Sequence, residues 1–221
     1  ALDCGVKAIE KVAYAKERNI DFIICDHHRP GKELPNAVAI LDPKRDDCEY
    51  PYKELCGCGV GFKLIQALAS KEGKPVEELA EYLDLVATAI GADIVPITGE
   101  NRTLAYFGLQ VINSNPRPGI KAIINLVKKE ELTITDVVFI VAPRINAAGR
   151  MKHGNYAVAL LTETNMELAE EYAAEIETFN TDRREADQQI TKEALNQIET
   201  QNEKERFTTV VYQEDWHKGV I

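Results

Sequence analysis

The segment ICDHHRPG, residues 24–31, ends a short apolar run with an acid and two adjacent histidines. The run itself, DFIIC at residues 21–25, has the continuous apolar character of a parallel strand that is covered on both faces. The chain has only four histidines in 221 residues, and two of them follow this strand directly. Successive side chains that leave a strand point in different directions, so we expect different surroundings for His27 and His28.

The residues before this segment predict a β-α-β unit. Residues 1–5, ALDCG, resemble the end of a strand, and residues 6–20 carry apolar side chains at roughly helical spacing. A right-handed crossover makes the two strands parallel, which places Asp3 and the Asp26-His27-His28 cluster at one edge of the sheet. In open α/β sheets, this edge is where ligands bind.

The rest of the chain predicts an α/β fold, with a parallel sheet and helices on both faces. Residues 76–91 have a long helical pattern that delivers Asp93 just past its end. The segment DVVFIVAPRI, residues 136–145, is predicted as a strand running into a loop. The segment FTTVVYQEDW, residues 207–216, is predicted as the first strand of a second α/β domain.

The acids and histidines at the strand ends predict a metal site. One imidazole nitrogen with several carboxylate oxygens suits Mn²⁺, or less well Mg²⁺. Zinc is not indicated, because Cys48, Cys56 and Cys58 lack the paired spacing of structural zinc sites. The residues alone leave other roles open: a hydrogen-bonded or surface histidine pair, and cap or loop positions for the two aspartates.

The charge distribution bears on the class of partner. The net charge is −10, which argues against nucleic acid, but residues 163–206 alone contain 13 acids and 5 bases. Residues 137–162 contain Arg144, Arg150 and Lys152 and no acid, so they are the candidate region for contact with a polyanion. Three glycines before a helix, Gly57, Gly59 and Gly61, are compatible either with a phosphate cradle or with close helix packing.

Composition also limits the cellular setting. No apolar run approaches the roughly 18 residues that a membrane span requires, and no signal segment opens the chain. Five cysteines are an odd number, and two lie in or beside strand-like runs, which favours reduced thiols. We therefore expect a cytoplasmic protein with no membrane partner.

Several motifs in order resemble the DHH phosphoesterase superfamily. The first motifs are LDCG and then DHH, which follows an apolar strand. After them come GCGVGF, GADIVPITGENR, PRINAAGRM and a terminal WHKGVI. This combination covers almost the whole chain and is similar to the RecJ type of single-strand-specific DNA exonuclease. The resemblance implies a nuclease of DNA repair and recombination that releases mononucleotides from a 5′ end.

The resemblance also implies a role for each residue at the strand ends. Asp3 looks like the carboxylate that bridges two metal ions, while His27 and Asp93 look like further ligands. His28 looks like the residue that contacts the scissile phosphate, and Asp26 like a residue that orients a histidine. Two divalent ions, Mn²⁺ or Mg²⁺, are implied, and they activate water for in-line displacement at phosphorus.

Substrate contacts are predicted in the second half of the chain. Arg144, Asn146 and Arg150 lie in a segment with small residues, where a guanidinium fork suits phosphate oxygens. A basic surface loop is the alternative for this segment. His217, in WHKGVI, is a further substrate contact implied by the resemblance, and single-stranded DNA, single-strand-binding protein and a helicase are the implied partners.

The domain organisation is predicted from the same patterns. Residues 1–162 are expected to form the DHH domain, residues 163–205 a long connector helix, and residues 206–221 the start of a substrate-binding domain. The family has an upstream D-x-D motif that these residues do not contain, so we expect a fragment that binds metal weakly and cleaves poorly. Two alternatives stay open: a phosphodiesterase of oligonucleotides or cyclic dinucleotides, and a non-catalytic scaffold that binds single-stranded DNA.

Overall fold

A computed structural model describes residues 1–200 and 207–221. The chain forms two compact units. The first contains Ala1–Arg117 and Lys129–Ala142, and the second contains Pro118–Lys128 and Pro143–Ile221. Among the helices in these ranges, none combines the length and the apolarity that crossing a bilayer would require.

The sheet of the first unit is small and parallel. Strand β1, Ile23–Cys25, pairs with β2, Ala39–Leu41, and Leu2 forms a parallel bridge to Cys25 on the other side. The Asp3 backbone N–H donates to the Cys25 carbonyl at 2.8 Å, which brings the first residues of the chain alongside β1. The predicted α/β class with a parallel sheet is therefore confirmed.

Helices surround this sheet in the first unit. In chain order they are α1 Ile9–Glu17, α2 Gly57–Lys71, a 3₁₀ segment Val76–Tyr82, α3 Leu83–Ala92, α4 Gly99–Ser114 and the short α6 Ile134–Asp136. The core lies where β1 meets α2, α3 and α4, and its buried apolar side chains include Cys25, Leu55, Val60, Phe62, Val86, Ile90 and Leu104. The strand that precedes the Asp-His-His sequence therefore contributes Cys25 to this core.

The predicted strand at 136–145 is wrong, because this segment is helical. A π-helical stretch, Val137–Val141, runs into α7, Ala142–Met151. Thr133 and Asp136 form a capping box that starts a helix, and the apolar run buries Val137 and Val141, one helical turn apart, while Phe139 is exposed. Arg144, Asn146 and Arg150 therefore lie on a helix and not on a loop.

The second unit is helical in its described part. Besides α7 it contains α5 Pro118–Val127, α8 Asn155–Thr162 and α9 Met166–Thr200. Helices α5 and α8 both pack on α9. A side chain at Gly119 would come within 2.1 Å of the Leu160 carbonyl oxygen, so α5 and α8 approach closely at this glycine. Apolar side chains of α9 that are buried here include Ala169, Ala173, Ile176 and Phe179.

The long acidic helix predicted for residues 163–205 is observed as α9 up to Thr200. Residues 201–206, which include the end of that prediction and the start of the predicted second domain, lie outside the described residues. Residues 207–216 form no strand in the described part of the chain. Instead, the backbone of Tyr212 forms two hydrogen bonds with the side chain of Gln197 on α9. The predicted strand there is wrong, because no strand within 1–200 or 207–221 pairs with it.

Candidate metal centre

The turn after β1 is organised by the side chain of Asp26, which is almost fully buried. Its Oδ1 accepts the backbone N–H groups of His27 at 2.8 Å and His28 at 3.2 Å, and its Oδ2 accepts that of Val6 at 2.9 Å. Burial raises the pKa of Asp26, but these hydrogen bonds and one from His28 outweigh it, so the pKa is lowered overall. Asp26 is thus an ionised anchor that shapes the turn.

His27 points inward at the end of the strand and is only 6% exposed. Its Nε2 lies 3.1 Å from Asp3 Oδ1 and 3.2 Å from Asp93 Oδ2, but neither contact has the alignment of a hydrogen bond. Two carboxylates that meet one imidazole nitrogen repel each other unless a cation lies between them. Burial, followed by the charge of Asp3, raises the pKa of Asp93. The donor set fits a hard divalent cation.

His28 points outward, with a side chain that is 57% exposed. Its Nδ1 lies 2.7 Å from Asp26 Oδ1, and this hydrogen bond is the main cause of a raised pKa for His28. Asp3, His27 and His28 each offer one ligand atom, and these atoms lie within 4.8 Å of one another. The structure therefore brings together all five residues predicted at the strand ends, with His27 inside and His28 at the surface.

Asp3 is placed by an unusual backbone and by a glycine. Its φ is 60°, in the left-handed region that few residues other than glycine adopt. The first residue of α2, Gly57, lies so close that a Cβ there would come within 2.1 Å of Asp3 Oδ1. Gly61, one turn along, faces Leu2 in the same way at 3.0 Å. Close packing of α2 against the first residues of the chain explains these two glycines.

We expect Gly57→Ala to weaken Mn²⁺ binding by about 10- to 100-fold, the usual effect of losing a residue that supports a metal ligand. The methyl group would push the exposed Asp3 carboxylate away from His27, while the core of the unit stays intact. Electron paramagnetic resonance of Mn²⁺ titrated with protein measures this affinity. Gly59→Ala on the same helix is the control, because its Cβ would meet only ordinary contacts at 3.4 Å or more. Equal affinities for the two variants would contradict the role given to Gly57.

The sequence reading missed one acid at this edge, Asp42. It directly follows β2, and the Leu41 carbonyl before it accepts the N–H of Asp26, so the two strand ends are adjacent. Asp42 is 2% exposed; its Oδ1 accepts the Lys44 N–H at 2.8 Å, whereas its Oδ2 has no hydrogen-bond partner. Burial raises the pKa of Asp42. Like Asp26, Asp42 is an acid at the end of an apolar strand, and this pattern in the sequence predicts its position at the same edge of the sheet.

Asp42→Asn should stabilise the protein at neutral pH by about 1–2 kcal/mol, because the neutral amide replaces a carboxylate whose charge is disfavoured by burial. Because the pKa of Asp42 is raised in the folded state, protonation favours folding, and that contribution is lost as the pH rises through the folded pKa. The gain from Asn should therefore shrink towards pH 4.5. Urea unfolding of both proteins at pH 7.5 and pH 4.5 measures it, and a gain independent of pH would contradict this account.

The four predicted substrate residues all belong to the second unit. Arg144 is paired with Glu177 of α9, through Nε to Oε2 at 2.5 Å and Nη2 to Oε1 at 3.1 Å. Asn146 and Arg150 are exposed on α7, and His217 is exposed with its Nδ1 accepting the Gly219 N–H. A Cβ at Gly219 would come within 2.4 Å of the Arg150 carbonyl oxygen, so the segment with His217 lies against the end of α7.

The five cysteines lack the sequence spacing of a structural zinc site. All five are free thiols, and burial raises the pKa of Cys56 to about 12 and that of Cys58 to about 11. Cys56 instead caps α2, its Sγ accepting the Gly59 N–H at 3.3 Å. Thiols with such high pKa values are poor metal ligands at neutral pH.

The known proteins that this chain is similar to agree with one another in family and in name. Residues 1–90 match the DHH family, N-terminal domain. The single-stranded-DNA-specific exonuclease RecJ of Bacillus subtilis (strain 168) is 40% identical over 222 residues, which cover 100% of this chain and 27% of that protein. RecJ of Escherichia coli (strain K12) is 36% identical over 236 residues, covering 100% of this chain and 41% of the relative. The chain thus spans less than half the length of these relatives.

Solved structures agree with the sequence relatives. A crystal structure of exonuclease RecJ bound to manganese has a TM-score of 0.88 and 30% identity, covering 99% of this chain and 54% of that one. RecJ of Thermus thermophilus in complex with Mn²⁺ has a TM-score of 0.87 and 28% identity, covering 99% and 32%. The resemblance predicted from the motifs is confirmed: residues 1–90 match the N-terminal domain of the DHH family, and the whole chain is similar to RecJ exonucleases.

Proposed function

We propose that this chain is the catalytic part of a metal-dependent exonuclease that hydrolyses single-stranded DNA from the 5′ end, in repair and recombination. The observation that carries the proposal is the approach of two carboxylates, from Asp3 and Asp93, to the buried Nε2 of His27. The similar proteins are named as single-stranded-DNA-specific exonucleases, and two similar RecJ structures contain Mn²⁺.

Asp3, His27 and Asp93 would hold the two divalent ions. Mn²⁺ or Mg²⁺ fits the donor set, and a related RecJ structure contains Mg²⁺. When bound, such ions activate water and stabilise the charge that develops at phosphorus. Three protein ligands are few for two ions, so we expect these 221 residues alone to bind metal weakly and to cleave poorly.

His28 and Asp26 contribute proton chemistry beside the metal ligands. Nδ1 of His28 donates a hydrogen bond to Asp26, and this bond raises the pKa of His28. The imidazole therefore keeps a second proton, on Nε2, up to a higher pH than an ordinary histidine does. Because the ring is more than half exposed, Nε2–H is available to a phosphate oxygen or to the departing sugar oxygen. His28 acts on the substrate, and Asp26 holds it in position.

Arg144, Asn146, Arg150 and His217 remain proposed substrate contacts. Asn146, Arg150 and His217 are exposed, and Arg144 would exchange Glu177 for a phosphate oxygen. The division into a DHH domain at 1–162, a connector at 163–205 and a further domain from 206 also belongs to this proposal. So do a cytoplasmic location, which suits five free thiols, and partnership with single-strand-binding protein and a helicase.

The test is digestion of 5′-labelled single-stranded and duplex DNA, and of a cyclic dinucleotide, by the full-length protein with Mn²⁺, Mg²⁺ or EDTA. We expect metal-dependent release of mononucleotides from single strands only. His28→Ala should lower the rate about 10²- to 10⁴-fold, the usual contribution of an acid-base group, while single-strand affinity stays unchanged. His153→Ala, at an exposed histidine between α7 and α8, is the matched control.

Other outcomes would redirect the proposal. Turnover of the cyclic dinucleotide alone would move the protein to the nucleotide phosphodiesterases, and binding of single strands without any turnover would make it a scaffold. Unchanged turnover by the His28→Ala variant would remove His28 from the mechanism.

A further inference from the structure

Two adjoining hollows beside the strand ends of the first unit are lined mainly by basic side chains. Their volumes are about 580 and 330 Å³, and they share Arg29, Lys44 and Asp46. We call them together the cationic pocket; its five basic residues are Arg29, Lys32, Lys44, Arg45 and Lys53. In a chain with a net charge of −10, five cations against one acid in the lining are a marked local reversal of sign.

Some of these cations are already committed to partners within the protein. Arg45 forms a bidentate pair with Asp47 and also donates to the Ile40 carbonyl, and Lys53 donates to the Cys48 carbonyl. Arg45 and Lys53 line the pocket, and these contacts stabilise the loop after β2. Arg45 uses three of its five N–H donors in this way, and Lys53 uses one of three, so both have less capacity for a ligand than a cation without partners.

The remaining cations have capacity for an anion. Among the described residues, Arg29 and Lys32 have no side-chain hydrogen bond and no ion pair. Lys44 has only a loose ion pair, with its Nζ 3.4 Å from Glu54 Oε2. A guanidinium fork beside flexible ammonium groups is the donor arrangement that proteins use for phosphate. The side chains of Arg29 and Lys32 are exposed, so an anion in solution can reach both.

The pocket lies at the same edge of the sheet as the candidate metal centre. Arg29 directly follows His28 at the end of β1, and Lys44 follows Asp42 at the end of β2, where the Asp42 carboxylate holds its backbone N–H. The cations are thus carried on the two loops that leave the carboxyl ends of paired strands. A strand of nucleic acid with one phosphate at His28 would have its neighbouring phosphates close to these loops.

From this placement we infer that the cationic pocket binds backbone phosphates of the nucleic-acid strand next to the phosphate that is cleaved, with Arg29 and Lys32 as the principal contacts. The inference rests on the proposed function for its substrate class. Contacts to phosphate carry no sequence information, so we expect the contribution of the pocket to be independent of base sequence. Two adjoining hollows suit successive phosphates of a polymer better than one free phosphate.

The experiment measures binding without cleavage. Fluorescence anisotropy of labelled oligo(dT) in EDTA, at several salt concentrations, compares the full-length protein with the double variant Arg29→Gln, Lys32→Gln. Each phosphate contact on a single strand contributes a salt slope of about −0.7, so loss of two contacts should flatten the slope by about 1.4. The control is Lys7→Gln, Lys11→Gln, which removes the same charge from exposed positions at and before α1 and should leave the slope unchanged.

The same variants are titrated with thymidine monophosphate and with inorganic phosphate. A flatter slope for oligo(dT) only in the Arg29, Lys32 variant supports the inference. Equal slopes in wild type and this variant, or an equal change in the control, would overturn it. A loss confined to the mononucleotide or to phosphate would also overturn it and make the pocket a product site. Because no turnover is required, failure here is distinct from failure of the nuclease assay.

Discussion

The variant His27→Ala should bind Mn²⁺ at least about 100-fold more weakly than the wild type, since loss of an outer partner of a ligand alone typically costs 10- to 100-fold. His27 is the buried residue to which both Asp3 and Asp93 converge, so its loss removes the one nitrogen donor and separates the two carboxylates. Nuclease activity of the full-length protein should fall to background.

Two measurements check this expectation independently. Electron paramagnetic resonance reports free Mn²⁺, and thermal unfolding reports the stabilisation that the ion provides. At a metal concentration 100 times the dissociation constant, wild type should gain about 2.7 kcal/mol, whereas the variant at the same concentration should gain much less. His153→Ala, at an exposed position between α7 and α8, is the control for histidine loss. Unaltered Mn²⁺ affinity in His27→Ala would refute the ligand role.

The largest expected effect on stability belongs to Arg117→Ala. Arg117 pairs with Asp84, which is 1% exposed in the first turn of α3; its Nε lies 3.0 and 2.9 Å from the two carboxylate oxygens, and its Nη2 lies 2.9 Å from Oδ1. The Arg117 backbone N–H donates to the same carboxylate at 3.1 Å. Removing the guanidinium strands a buried charge, which costs about 3–5 kcal/mol.

Urea unfolding measures this loss, and two further variants identify its cause. Arg102→Ala, at an exposed arginine of α4, should change stability by less than about 0.5 kcal/mol. The double variant Asp84→Leu, Arg117→Met should recover most of the loss, because an apolar pair of similar volume leaves no buried charge. A double variant as unstable as Arg117→Ala would show that the loss arises from packing and not from the stranded carboxylate.

Local signals in the sequence were sufficient to predict which residues lie at the centre of the candidate site. The turn at Asp26, His27 and His28 depends on hydrogen bonds between neighbours in the chain, which are the same wherever the strand is placed. The parallel arrangement of Leu2 with β1 follows from the handedness of the β-α-β unit, a general rule of chain geometry. Asp3 could therefore be placed beside the histidines from the sequence.

Helix and strand were not distinguished correctly at 136–145. An apolar run of five residues is compatible with either state when it is considered alone. The capping box at Thr133 and Asp136 was the local signal for a helix, and packing that buries only Val137 and Val141 is consistent with it. A similar β-rich composition at 207–216 forms no strand, since a strand exists only where another strand pairs with it.

The order of residues was enough to predict the parallel strands, the inward and outward histidines and the family resemblance, because each depends on neighbouring residues or on ordered motifs. Only the folded chain reveals that Gly57 makes room for Asp3, that Asp42 is buried with an unpaired oxygen, and that Arg29 and Lys32 stay uncommitted while Arg144 meets Glu177. These features depend on distances between residues far apart in the chain, and no local pattern of residue types encodes such distances.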